Sequence, residues 1–204
     1  MPTKMTLSRD YKNTLILGLI IAIFLIPTER NLAGQHPIVY IAGLIGFPLL
    51  SLLGMWIGKT LFERFQAVFE FVKFGLTGVG NTAINFGVVN TFVLITGVTS
   101  GKEVILFTTV AFLCGLANSY YWNSHWSFKN DNPRTVTEFI KYATITVIGL
   151  LLNTGIVYTI TRFTPPAGIS PKLWINIANL VQTLVVMFWN FFGFRLIVFA
   201  KQKK

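Results

Sequence analysis

The 204-residue chain is 53% apolar and only 12% charged, with a mean hydropathy of +0.63, which excludes an ordinary water-soluble domain. Its formal net charge of +10 is spread between apolar stretches and forms no dense basic patch, so nucleic acid is not expected as a partner. The single cysteine, Cys114, excludes an intrachain disulfide and a cysteine-based metal or redox site. The composition predicts an integral membrane protein.

Six apolar stretches approach the roughly 20 residues that a helix needs to cross a bilayer. The first is short and follows basic residues, as in a signal peptide, but "IPTERNLAG" lacks a convincing cleavage site and predicts a retained anchor helix. We therefore predict an all-α integral membrane protein with six transmembrane helices. They are Tyr11–Thr28, Pro37–Leu61, Phe74–Thr96, Val104–Phe128, Ala143–Arg162 and Leu173–Val198.

Capping patterns mark the connections between these stretches. Ser100 and Glu103 have capping-box spacing before the fourth helix, and Thr135 and Glu138 have it before the fifth. The segment "TPPAGISP" predicts a loop before the sixth.

Basic residues predict the orientation of the six helices. Most of them fall on one side, which puts both termini in the cytoplasm and the protein in the cytoplasmic (inner) membrane of a bacterial or similar cell. That side carries Lys4, Arg9, Lys12, Lys59, Arg64, Lys73, Lys129, Arg134, Lys141, Lys201, Lys203 and Lys204, against Arg30, Lys102, Arg162 and Lys172 on the other.

An internal repeat connects "EFVKF" at Glu70 with "EFIKY" at Glu138. Residues 70–93 align without a gap on residues 138–161, and the following helices align when about three residues are inserted in the second outer loop. The sequence predicts a duplicated two-helix hairpin, with repeats at about 70–130 and 138–200. Both copies would have the same orientation, related by an axis along the membrane normal. We divide the chain into a two-helix extension, 1–68, and a four-helix core, 69–204.

The core resembles a known family. The segment "FVKFGLTGVGNTAINFGVVNTF", the helix end "ANSYYWNSHWSFK" and the terminal "WNFFGFRLIVF" are similar to the GtrA-like family of four-helix membrane proteins, over about two thirds of the chain. The resemblance implies movement of polyprenyl-phosphate-linked sugars across the cytoplasmic membrane for glycosylation of cell-surface polymers. It also implies a separate membrane glycosyltransferase as a partner. Family members commonly end each hairpin with an Asn-Arg pair, of which this chain keeps one half in each copy, at Asn123 and Arg195.

Three basic residues are candidates for binding the lipid phosphate. Lys73 and Lys141 occupy equivalent positions at the cytoplasmic ends of their helices, where snorkelling to the membrane surface is the simpler interpretation. As phosphate ligands, both would face one headgroup. Arg195 lies inside the last apolar run, where an arginine either snorkels or binds a ligand.

A set of neutral polar residues falls within the core helices. Interhelical hydrogen bonds explain any one of them; as a set they also predict a polar seam for sugar hydroxyls. The set is Asn81, Asn85, Asn118, Asn123, Asn153, Asn179, Gln182 and Asn190.

Missing motifs narrow the function further. No carboxylate lies deep in a span, no phosphate-binding loop occurs, and no acidic pair or metal cluster indicates a transferase site. We expect no enzyme activity, no catalytic residue, no cofactor and no metal. The chain would transport a polyprenyl-phosphate-linked sugar downhill; the alternatives are a non-transporting partner or anchor of the glycosyltransferase and an exporter of hydrophobic cations. All three alternatives predict contact with membrane lipids, and a homo-oligomer is consistent with each of them.

Overall fold

The computed structural model describes residues 3–34, 36–129 and 134–200. Within these ranges the chain is helical and without strands, and six helices are long and apolar enough to span a membrane. The prediction of a multi-pass, all-α membrane protein is confirmed. The basic tail residues Lys201, Lys203 and Lys204, and the side chains of Lys4 and Lys172, lie outside this description.

The six helices coincide with the six predicted spans, although the first, third and fifth begin seven or eight residues before them. Short π-helical turns continue the fourth and sixth, at Asn123–Ser127 and Phe194–Val198. The helices are α1 Thr3–Ala33, α2 Pro37–Phe62, α3 Gln66–Thr96, α4 Lys102–Trp122, α5 Val136–Thr161 and α6 Pro171–Gly193.

One of the two predicted helix caps is confirmed. The Thr135 hydroxyl oxygen accepts a hydrogen bond of 3.0 Å from the amide N–H of Glu138 at the start of α5. The cap predicted at Ser100 is wrong, because α4 begins one residue later, after Gly101, and has no side-chain cap. Gly101 has a φ of 92°, a conformation that glycine adopts without strain.

The chain divides into two compact units. The first contains α1 to α4 and ends at Lys129; the second contains α5 and α6. Because α1 packs along both α2 and α3, the N-terminal extension is an integral part of the first unit. The boundary that the sequence suggests at 68/69 remains a prediction.

Two glycines bring α1 close to α3. A Cβ added at Gly80 would lie 2.7 Å from Cδ1 of Leu17, and one added at Gly87 would overlap the carbonyl oxygen of Phe24. Small residues of this kind allow close backbone approach between membrane helices. The apolar core of the first unit surrounds this contact; it contains Leu17, Ile21, Met55, Ala83, Trp122 and Trp126.

Aromatic rings and one indole hydrogen bond hold α5 to α6 in the second unit. The ring of Tyr142 stacks on Phe194 with centroids 4.0 Å apart. The indole N–H of Trp189 donates to the carbonyl oxygen of Ile145 over 3.1 Å. These contacts lie in the half of α5 nearest its start.

Two geometric features recur in the two hairpins at the register of the predicted repeat. Phe128 donates its N–H to the carbonyl of Asn123, and Phe199 donates to Phe194, so each hairpin ends in the same π-type hydrogen bond. The ring pairs Phe74–Phe128 and Tyr142–Phe199 have centroid distances of 6.2 and 6.0 Å and interplanar angles of 48° and 49°. The duplication of the sequence remains a prediction, with which both features agree.

Candidate functional site

A buried charged cluster joins four helix ends of the first unit. The carboxylate of Asp10, on α1, lies 3.0 Å from Nζ of Lys73, on α3, and accepts a 2.9 Å hydrogen bond from the indole N–H of Trp126. Its second oxygen is 3.8 Å from Nζ of Lys59, on α2. We call these four residues the Asp10 cluster.

Aromatic rings surround the ammonium group of Lys73. The residue is only 2% exposed, and its Nζ lies 4.3 Å from the ring centroid of Phe69. A buried ammonium is stable only when it is paired and hydrogen-bonded, and Asp10 supplies that partner. The charge of Lys73 is therefore already balanced within the protein.

Lys59 is the less well paired of the two lysines in the cluster. Its Nζ is buried and makes no hydrogen bond within the part of the chain that the structure describes. The half-exposed carboxylate of Glu63 lies 3.4 Å away, one helical turn later. The cluster thus has two ammonium groups around one buried carboxylate.

Sequence reasoning missed Asp10 as a partner for Lys73. Asp10 is the only acidic residue before Glu29 and lies between the basic residues Arg9 and Lys12. A lone carboxylate in a basic segment was the available signal. Its partner lies 63 positions away, beyond the range of any local pattern.

The other two candidate phosphate ligands belong to the second unit. Lys141 is exposed near the start of α5, whereas Arg195 is partly buried in the second π turn. Whether Lys73 and Lys141 face one phosphate remains a prediction.

The predicted polar residues of the first hairpin form two groups. Asn118, on α4, donates a 2.8 Å hydrogen bond to the side chain of Asn81, on α3, which is the interhelical bond that the simpler interpretation expected. Asn85 donates to the backbone of Asn81 over 3.0 Å. Asn123 is fully buried in the first π turn, where it donates to the Ser119 hydroxyl over 3.1 Å.

The polar residues of the second hairpin are less enclosed. Asn153, Gln182 and Asn190 are partly buried, and Asn179 is exposed. Gln182 donates to the neighbouring Thr183 hydroxyl over 2.9 Å. The side-chain oxygen of Asn190 is buried beside Gly149 and accepts no hydrogen bond from the described residues.

A groove runs along one side of α5. It has a volume of about 520 Å³, and its lining is mostly apolar, with Gly155 at its centre. A Cβ added at Gly155 would meet nothing within 4 Å. Among the described residues, no group of three or more His, Cys, Asp or Glu side chains is arranged to bind a metal.

The chain is similar to one family of membrane proteins and to a curated bacterial protein. The family described as GtrA/DPMS, transmembrane domain, matches residues 73–199. The uncharacterized membrane protein YngA of Bacillus subtilis strain 168 is 28% identical over 145 residues, covering 69% of this chain and 89% of the relative. No solved structure matches the chain.

Proposed function

This chain belongs to the GtrA/DPMS transmembrane-domain family, and on that premise we propose that it moves a polyprenyl-phosphate-linked sugar across the cytoplasmic membrane. The observation that carries the proposal is the family match over 73–199 together with the exposed Lys141 at the start of α5. The transported lipid would serve the modification of a cell-surface polysaccharide or glycan.

The proposed phosphate ligands have unequal roles. Lys141 is exposed and able to meet a headgroup at the membrane surface, where an anionic environment stabilises a lysine by about 1 kcal/mol. Arg195 is a second ligand on the same unit. Lys73 joins them only if Asp10 releases it, because the carboxylate lies 3.0 Å from its ammonium group.

The proposed path for the sugar follows the neutral amides of the core helices. Asn190 supports it best, because its buried side-chain oxygen accepts no hydrogen bond from the described residues. Neutral groups bind sugar hydroxyls without the tight electrostatic attraction that would trap a charged ligand. We infer that the protein is not an enzyme and that a separate membrane glycosyltransferase supplies the loaded lipid.

Transport by the purified protein in sealed vesicles tests the proposal. A labelled polyprenyl-phosphate sugar is placed in one leaflet, and its appearance in the other is measured. We expect movement well above that in empty vesicles, a marked loss in Lys141→Ala, and no loss in Lys12→Ala, which removes an exposed lysine of the first unit. No movement by folded wild-type protein would contradict transport and favour a glycosyltransferase anchor.

A further inference from the structure

One face of α5 combines a lysine with a long apolar stripe. Lys141, Ile148, Gly155 and Thr159 are separated by seven, seven and four residues, so they lie on one side of the helix. The last three of them line the groove. Leu151, which also lines it, is 67% exposed.

The corresponding face of α3 is covered by α1. The residues of α3 that lie 68 positions before Lys141, Ile148 and Gly155 each contact one residue of α1. Lys73 contacts Asp10, Gly80 contacts Leu17, and Gly87 contacts Phe24. These three residues of α1 are also seven positions apart, so the two helices stay in register. Ala83, the counterpart of Leu151, is only 3% exposed.

The residues that α1 places on this face have a simple chemistry. One carboxylate meets the lysine, and the apolar residues Leu17 and Phe24 then follow, the second of them about 21 Å along the helix from Asp10. A polyprenyl phosphate has the same order of groups: an anionic end followed by a long apolar chain. This face of α3, in the first hairpin, is therefore covered by α1, whereas the corresponding face of α5, in the second hairpin, is open.

We propose that the open face of α5 is the binding site for the lipid carrier, with its phosphate on Lys141 and its isoprenoid chain in the groove beside Ile148 and Gly155. The site deepens the proposed function and rests on it for the identity of the ligand. It makes the two hairpins unequal: the first is closed by α1, and only the second takes the lipid.

Charge and composition favour a lipid over another segment of this chain. Asp10 is the carboxylate that covers the corresponding lysine of α3, and it already contacts Lys73. The groove is lined by a transmembrane helix, so the surrounding bilayer supplies amphiphiles to it directly. A transmembrane helix of a partner protein is the alternative occupant.

Binding of farnesyl phosphate to the full-length protein in detergent tests the site. Farnesol serves as a probe of the isoprenoid part alone, and inorganic phosphate as a probe of the headgroup alone. We expect Lys141→Met to weaken binding by about tenfold or more, through loss of a charged contact. Gly155→Leu fills the groove and should weaken binding by a similar factor. Neither farnesol nor inorganic phosphate should bind as tightly as farnesyl phosphate.

Matched controls are available in the first unit. Gly78→Leu adds the same side chain at an exposed glycine of α3 that also has nothing within 4 Å of its Cβ, and Lys12→Met removes another exposed lysine. Both should bind like the wild type. Unchanged binding in Lys141→Met and Gly155→Leu, an equal loss in Gly78→Leu, or no binding by the wild type would each overturn the proposed site.

Transport measurements separate this proposal from the proposed function. If the vesicle assay shows transport while both α5 variants bind normally, the function stands and this site is wrong. If the variants lose binding while the wild type transports nothing, the lipid site stands and the protein presents or retains the carrier without moving it.

Discussion

Asp10 and Lys73 form a buried ion pair, 3.0 Å between Oδ1 and Nζ, that joins the first helix to the third. Lys73 is the first residue of the family match, whereas Asp10 lies 63 residues before it. The N-terminal helix is thus held to the family core by a charge as well as by apolar contacts.

Asp10→Asn is expected to destabilise the protein by about 3–5 kcal/mol, because it leaves a buried ammonium without its carboxylate. The double variant Asp10→Asn, Lys73→Met should recover much of that loss, since neither charge then remains buried and unpaired. Thermal unfolding in detergent measures both effects.

Glu63→Gln provides the control for this experiment. Its carboxylate also lies near a lysine of the Asp10 cluster, but the side chain is 49% exposed. Only the Glu63 side of this pair faces solvent, and Asp10 stays beside the buried Lys59 when Glu63 is neutralised, so the loss of stability should be smaller than in Asp10→Asn. If Asp10→Asn were no more damaging than Glu63→Gln, the buried pair would not be a stabilising connection.

The spans were predictable from sequence, whereas the pairing between them was not. Hydropathy locates a helix such as α5 because its apolar run is long, and Thr135 marks its start because the capping hydrogen bond is local. The Asp10–Lys73 pair depends on α1 lying along α3, which no local pattern encodes. The π turn that ends at Phe128 is likewise a shift in backbone hydrogen bonding with no side-chain signature.

Gly87→Ala and Gly155→Ala should change the stability of the protein differently, although the two glycines occupy equivalent positions of the predicted repeat. A Cβ at Gly87 would overlap the backbone of Phe24, which predicts a loss of about 1–3 kcal/mol through overpacking. At Gly155 the space is open, so alanine should be neutral or stabilising by at most about 1 kcal/mol through its higher helix propensity. Melting temperatures in one detergent compare the two directly. Equal losses would contradict the unequal packing of the two hairpins.

Asn118→Leu tests whether the side chain of Asn118 only connects two helices or also takes part in transport. Loss of its hydrogen bond to Asn81 should cost about 0.6 kcal/mol, the typical value for a side-chain hydrogen bond between membrane helices. If Asn118 only connects α3 to α4, transport per folded molecule should stay at the wild-type level. A strong loss of transport at that small stability cost would indicate that sugar passes this position.

Asn85→Leu and Asn153→Leu test the seam in both hairpins. Asn85 donates to the backbone of its own helix, so its replacement should cost little stability. Under the transport proposal both variants lose movement of the lipid-linked sugar. A non-transporting partner of a glycosyltransferase should instead tolerate both replacements and keep full glycosyltransferase recruitment.

The predicted orientation can be measured with single cysteines, because the chain contains only Cys114, which is exposed and replaceable by serine. In that background, cysteines at Arg64 and Arg134 test the predicted cytoplasmic connections, and cysteines at Ser100 and Ala167 test the opposite ones. An impermeant maleimide added to intact cells should label only the second pair, and both pairs should react after lysis. This outcome follows from the excess of basic residues on one side of the six spans. Labelling of Arg64→Cys and Arg134→Cys in intact cells, with Ser100→Cys protected, would reverse the orientation and place Lys141 at the outer surface.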